Sequence, residues 1–143
     1  MQIKQLSVFI ENKKGRLAEI TKVLGENKID IRAISVADTS DFGILRIIVD
    51  KPEEAMNSLK NAGMTVSLSD VIVVAIADEP SSFAKVVQIL SDKDIQIEYV
   101  YAFMSRDKGK AFVIVRADNG EKAAEILSQH GIGVISQEQI KDL

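Results

Sequence analysis

Apolar residues along this chain follow two periods that replace one another in order. Leu6, Val8 and Ile10 alternate with Gln5, Ser7 and Phe9, a spacing that predicts a strand. After the polar stretch Glu11-Asn12-Lys13-Lys14-Gly15, residues Leu17, Ile20, Val23 and Leu24 fall at helical spacing. Ile29 and Ile31 alternate next, and Ile34 and Val36 alternate in the opposite phase. A phase slip inside a strand predicts a bulge at Arg32–Ala33. The residues from Asp38 to Gly43 (Asp, Thr, Ser, Asp, Phe, Gly) are rich in turn formers, and Leu45, Ile47 and Val49 resume the period of two. Pro52 suits a first helical turn, Ala55, Met56, Leu59 and Ala62 supply an apolar stripe, and Gly63 stops it. Thr65–Leu68 predicts a last short strand, so the order is βαββαβ.

A shift of 66 positions brings the pattern back. Leu6, Val8 and Ile10 map onto Ile72, Val74 and Ile76, and Leu17, Ile20, Val23 and Leu24 map onto Phe83, Val86, Ile89 and Leu90. Ile29, Ile31 and Ile34 meet Ile95, Ile97 and Val100, so the slip itself recurs. Identity, spacing and irregularity agree in one register, which marks an internal repeat.

The predicted class is therefore α+β: two ferredoxin-like βαββαβ modules, over residues 1–68 and 71–143. Each is expected to be a four-stranded antiparallel sheet with two helices on one face. The junction Ser67–Val71 is short and lacks Gly and Pro, so the modules are expected to pair side by side into one continuous sheet. The tail Ser136–Leu143 reads either as an extension of the last strand or as a short turn.

Composition narrows the chemistry. The chain has 143 residues and no cysteine, which excludes disulfides, thiol catalysis and cysteine-ligated metal and fits a reducing, cytoplasmic location. No apolar run approaches the roughly 20 residues of a membrane span. The formal charge is −3, which argues against a nucleic-acid surface. One histidine, His130, precedes Gly131 at a helix end, where a structural role is expected. No metal-spaced cluster, Ser/His/Asp set or phosphate loop occurs, so neither cofactor nor catalysis is expected.

The turn from Glu11 to Leu17 carries the candidate chemistry. A helix N-terminus offers free N–H groups and partial positive charge, and therefore attracts an anion. Gly15 allows close approach to the backbone. Lys14 and Arg16 are cations at the end of a helix where acids are normally favoured, and Asn12 has an amide that both donates and accepts. The matching turn is Asp78-Glu79-Pro80-Ser81-Ser82-Phe83. There, Ser81 or Ser82 reads as an N-cap, an anion being less welcome if its hydroxyl fills the free N–H groups, and Asp78 and Glu79 would repel a carboxylate but accept an ammonium. The first corner is thus the expected anion seat.

A βαββαβ module with Asn12-Lys13-Lys14-Gly15-Arg16-Leu17 at its first turn and Asn27-Lys28-Ile29-Asp30-Ile31 entering its second strand resembles the ACT domain. The whole chain resembles two ACT domains in tandem with no enzyme attached. The resemblance implies a non-catalytic sensor that binds an amino acid and regulates amino-acid metabolism, with a metabolic enzyme or regulator as partner. It places the ligand at an interface between paired domains, against the first loop of one and the second strand of the other. On matching positions, that implicates Asn12, Lys14, Gly15, Arg16 and Leu17 with Asp30 and Ile31. In the second module it implicates Asp78, Ser81, Ser82 and Phe83 with Gln96 and Ile97. Ser81 departs from the pattern by replacing the glycine.

Other readings stay open at this level. Ferredoxin-like folds also carry enzymes, RNA-binding domains share the element order, and a pure interaction adaptor needs no ligand. Phe9, Arg46, Ile48 and Phe112 lie opposite the core-facing set on their strands, apolar content that points toward self-association. Tyr99 and Tyr101 flank Val100 and suit either an interface, the core or the surface.

Overall fold

The computed structural model describes residues 1–11, 13–38, 41–103, 105 and 108–143. The chain divides into two compact units, Lys4–Ser69 and Asp70–Leu143, the latter together with Met1–Ile3. Asn12 and the Thr39-Ser40 part of the predicted turn lie outside the described residues.

The first unit contains β1 (Ile3–Glu11), α1 (Arg16–Glu26), β2 (Ile31–Asp38), β3 (Phe42–Val49), α2 (Pro52–Asn61) and the opening residues of β4 (Thr65–Ala77). Its strand order is β2-β3-β1-β4, with β3 antiparallel to both β1 and β2. Register places Leu6 opposite Ile47 and Val8 opposite Leu45, so these four share one face. On that face they meet Ile20 and Leu24 of α1 and Ala55 and Leu59 of α2. Each large aliphatic side chain buried there contributes about 1.5–3 kcal/mol. Gln5 is fully buried, and its amide donates to the Ser69 hydroxyl at 3.1 Å, which satisfies a polar group inside the sheet.

The second unit takes the rest of β4, then α3 (Ser82–Asp92), β5 (Ile97–Ala102), β6 (Lys110–Ala117), α4 (Gly120–Gln129), β7 (Gly133–Val134) and α5 (Gln137–Ile140). Its strand order, β7-β4-β6-β5, reproduces that of the first unit. Ile72, Val74 and Val115 pack with Val86 and Leu90 of α3 and Ala123 and Leu127 of α4. These are the positions the repeat predicts as core.

The irregularities recur too. The β2–β3 register shifts between Ile31 and Ala33, and the β5–β6 register between Ile97 and Tyr99. Lys28 and Asp94 turn into the second strand of each unit with φ of 56° and 57°.

Three expectations are corrected. Thr65–Leu68 is not a separate short strand, because β4 runs unbroken to Ala77; its β-branched residues favour extension and no Gly or Pro interrupts them. Ile48 and Phe112 are buried rather than exposed, and Phe112 packs on Phe103 with ring centroids 6.1 Å apart. The tail is neither a strand extension nor a bare turn: beyond β7 it forms α5, opened by a capping box between Ser136 and Gln139.

Candidate functional site

Each candidate corner is a strand end, a tight loop and a helix start, built from the same backbone hydrogen bonds. In the first unit Lys13 N–H donates to Glu11 O (2.7 Å), Arg16 N–H to Lys13 O (3.3 Å) and Glu19 N–H to Gly15 O (3.0 Å). In the second, Glu79 donates to Ala77 O (2.9 Å), Ser82 to Glu79 O (3.3 Å) and Lys85 to Ser81 O (3.2 Å). Gly15 enters α1 with φ 90° and Ser81 enters α3 with φ 74°, the left-handed region that glycine adopts freely and serine does not.

Among the described residues no side chain caps α1 or α3. Ser81 is the N-cap of α3, one of the two serines expected there, and its hydroxyl does not fill the free N–H groups. Capping geometry normally needs extended backbone at that residue, and Ser81 holds the left-handed turn instead. The first-turn N–H groups of both helices keep their partial positive charge.

The side chains make the corners differ. Arg16 bridges Glu19 at 2.9 Å and Glu11 at 3.4 Å, while Lys13 reaches Glu11 at 2.8 Å. Lys13 foremost, then Arg16, holds the Glu11 carboxyl below its usual range. Glu19 foremost, then Glu11, pushes the Arg16 guanidinium up, so it is fully charged and already engaged. Lys14 is exposed and makes no ion pair among the described residues. In the second corner Asp78 and Glu79 are both exposed and neither makes an ion pair among the described residues.

The sequence-derived site residues separate into groups. Arg16 lines a cavity of about 290 Å³ with Glu11, Phe9, Phe42 and Met64. Lys14, Gly15 and Leu17 stand exposed beside it, and none of the three lines it. Asp30 is exposed, bound to the buried Arg32 at 3.0 Å, and its N–H donates to Asp50 at 2.9 Å. Ile31 packs against the first core. In the second unit Asp78, Ser81 and Phe83 come together on a groove of about 440 Å³. Ser82 is half-buried outside its lining, Ile97 packs on the second core, and Gln96 N–H donates to Asp118 at 3.1 Å.

Sequence reasoning missed the other walls of that groove, which include Ile76, Val100, Tyr101 and Val113. For Val100 the signal was available in the phase slip: beyond the bulge, Val100 pairs with Val115 and Ala102 with Val113, on the helix-facing side, whereas Tyr101 pairs with Ile114 in the opposite phase. His130 is the C-cap of α4, with its ring Nδ1 2.9 Å from Ile126 O. Tyr99 and Tyr101 stack at 6.4 Å. Among the described residues no group of His, Asp and Glu is placed to hold a metal ion, and no helix is long and apolar enough to cross a membrane.

Two βαββαβ units with matched turns at the start of the first helix define a tandem α+β architecture. The chain belongs to the ACT domain pair family, whose model matches residues 1–143. It is similar to a protein of Bacteroides thetaiotaomicron of known crystal structure, at 37% identity and TM-score 0.94, covering 100% of this chain and 98% of that one. The fold is shared with the ligand-free regulatory subunit of aspartate kinase from Thermus thermophilus, at 22% identity and TM-score 0.66, covering 88% and 91%. The corresponding subunit from Thermus flavus aligns at 21% identity and TM-score 0.60, covering 88% and 90%. No match is found among curated proteins.

Proposed function

We propose that this chain is a non-catalytic sensor that binds a free amino acid and regulates an enzyme or regulator of amino-acid metabolism. The observation that carries the reading is the uncapped, left-handed helix entry that recurs at Gly15 and Ser81. It leaves backbone N–H groups available to an α-carboxylate twice in one chain. In the first corner the N–H groups of Gly15 and Leu17 hold the carboxylate, since that of Arg16 already donates to Lys13 O, with Lys14 as the cation not engaged among the described residues and Arg16 joining if it exchanges Glu19 or Glu11 for the ligand. Asn12 takes the α-ammonium; Asp30 and Ile31 stand at the other end of the sheet, where Ile31 pairs with Val49 while Glu11 pairs with Phe42, and are not assigned to this corner. In the second corner Ser81, Ser82 and Phe83 form the helix-start side and Asp78 receives the α-ammonium; Gln96 and Ile97 stand at the other end of β6, where Ile97 pairs with Ala117, and are not assigned to this corner. Similarity in fold to regulatory subunits of aspartate kinase supports a regulatory role.

The test is a titration of the intact protein with the twenty amino acids by calorimetry and thermal shift. At least one is expected to bind and raise the melting temperature, since a ligand that binds only the folded state stabilises it. If none does, the sensor reading fails and a ligand-free adaptor takes its place.

A further inference from the structure

We infer that the groove of the second unit selects a cation carried on an apolar stem, so that its ligand is an amino acid or amine with a positively charged side chain. The inference deepens the sensor reading and rests on it only for the amino-acid form of the ligand. Three observations converge. The groove of about 440 Å³ is walled by Ile76, Phe83, Val100 and Val113, and its acidic lining residues are Asp78 and Glu79. Neither carboxylate makes an ion pair among the described residues, whereas the acids of the first corner, Glu11 and Glu19, are both neutralised in place.

The repeat sharpens the contrast. At the 66-residue offset Lys13, Lys14 and Arg16 become Glu79, Pro80 and Ser82, so the second loop loses every cation of the first. Nor do neighbouring lysines compensate. Ala77 and Lys110 pair one residue out of phase with Ile76 and Ala111, so Lys110 leaves by the face away from the helices. Lys85 and Lys108 are exposed and make no ion pair among the described residues. An apolar trough with two carboxylates at its mouth, neither neutralised among the described residues, favours a ligand with two ammonium groups, the α-ammonium that Asp78 receives and a second at the end of an apolar stem, and disfavours one that presents a second carboxylate.

Calorimetry of the full chain with L-lysine, L-norleucine, L-glutamate and 1,5-diaminopentane tests this. Lysine and norleucine share a stem and differ in the terminal cation. Lysine is expected to bind about tenfold or more tightly than norleucine, and the Asp78→Asn/Glu79→Gln variant to lose about that factor. Both positions are exposed, so the variant is expected to keep its melting temperature, which is measured alongside. Equal affinity for lysine and norleucine, or an unchanged affinity in the variant, overturns the inference. If amino acids bind without preference for a cation, the sensor reading survives and this one fails. If diaminopentane binds in an Asp78- and Glu79-dependent manner while no amino acid does, the groove is as inferred and the sensor reading fails.

Discussion

Gly15 and Ser81 hold the same backbone 66 residues apart, with φ and ψ of 90° and −7° in one and 74° and −8° in the other. The chain solves the same turn twice, once with the residue suited to it and once without. Replacing Ser81 by Gly is expected to stabilise the protein by about 0.5–1 kcal/mol, because left-handed strain is relieved faster than unfolded-state entropy is gained. Replacing Gly15 by Ala is expected to cost about 1 kcal/mol. A Cβ there meets nothing within 4 Å, so the loss is conformational and not steric. Urea denaturation midpoints of the two variants should move in opposite directions.

Asn119 supplies the cap that α1 and α3 lack, its side chain accepting from Lys122 N at 3.2 Å. Asn119→Ala is expected to cost about 1 kcal/mol. Ser81→Ala removes a hydroxyl that caps nothing and is expected to stay within about 0.5 kcal/mol of the parent. Thermal denaturation of the pair distinguishes a working cap from a residue that merely occupies the cap position.

Leu45 is completely buried between the first sheet and its helices. Leu45→Ala should destabilise the protein by about 2–5 kcal/mol, read as a lower denaturation midpoint. A loss below about 1 kcal/mol would mean that the first core is not packed as described.

Glu11 links charge to pH. Its carboxyl titrates below the ordinary 4.5 because Lys13, and then Arg16, favour the ionised form. A depressed folded value means that the contribution is present above the unfolded value and is lost as pH falls below 4.5 through the folded one. Followed by NMR, the Glu11 midpoint should rise toward 4.5 in Lys13→Ala and in molar salt. An unchanged midpoint in both would remove the Lys13 contact as the cause.

Much of this architecture can be read without coordinates. The doubled order βαββαβ, the core set from Leu6 to Leu59 and its echo from Ile72 to Leu127 all follow from period, because a residue facing a core must be apolar whatever it touches there. Even the bulges announced themselves, as a slip of phase at Arg32–Ala33 and again 66 residues on. The left-handed turn at Ser81 did not, since a serine before a helix ordinarily signals an extended cap and only the surrounding loop forces it otherwise. The engagement of Arg16 by Glu11 and Glu19, and the meeting of Phe83 with Val100 beside Asp78, also waited for the tertiary structure. Periodicity records which side of an element faces inward. Which charges neutralise one another, and which walls share a groove, depends on the distance between elements, and that is set by sheet register and loop geometry together.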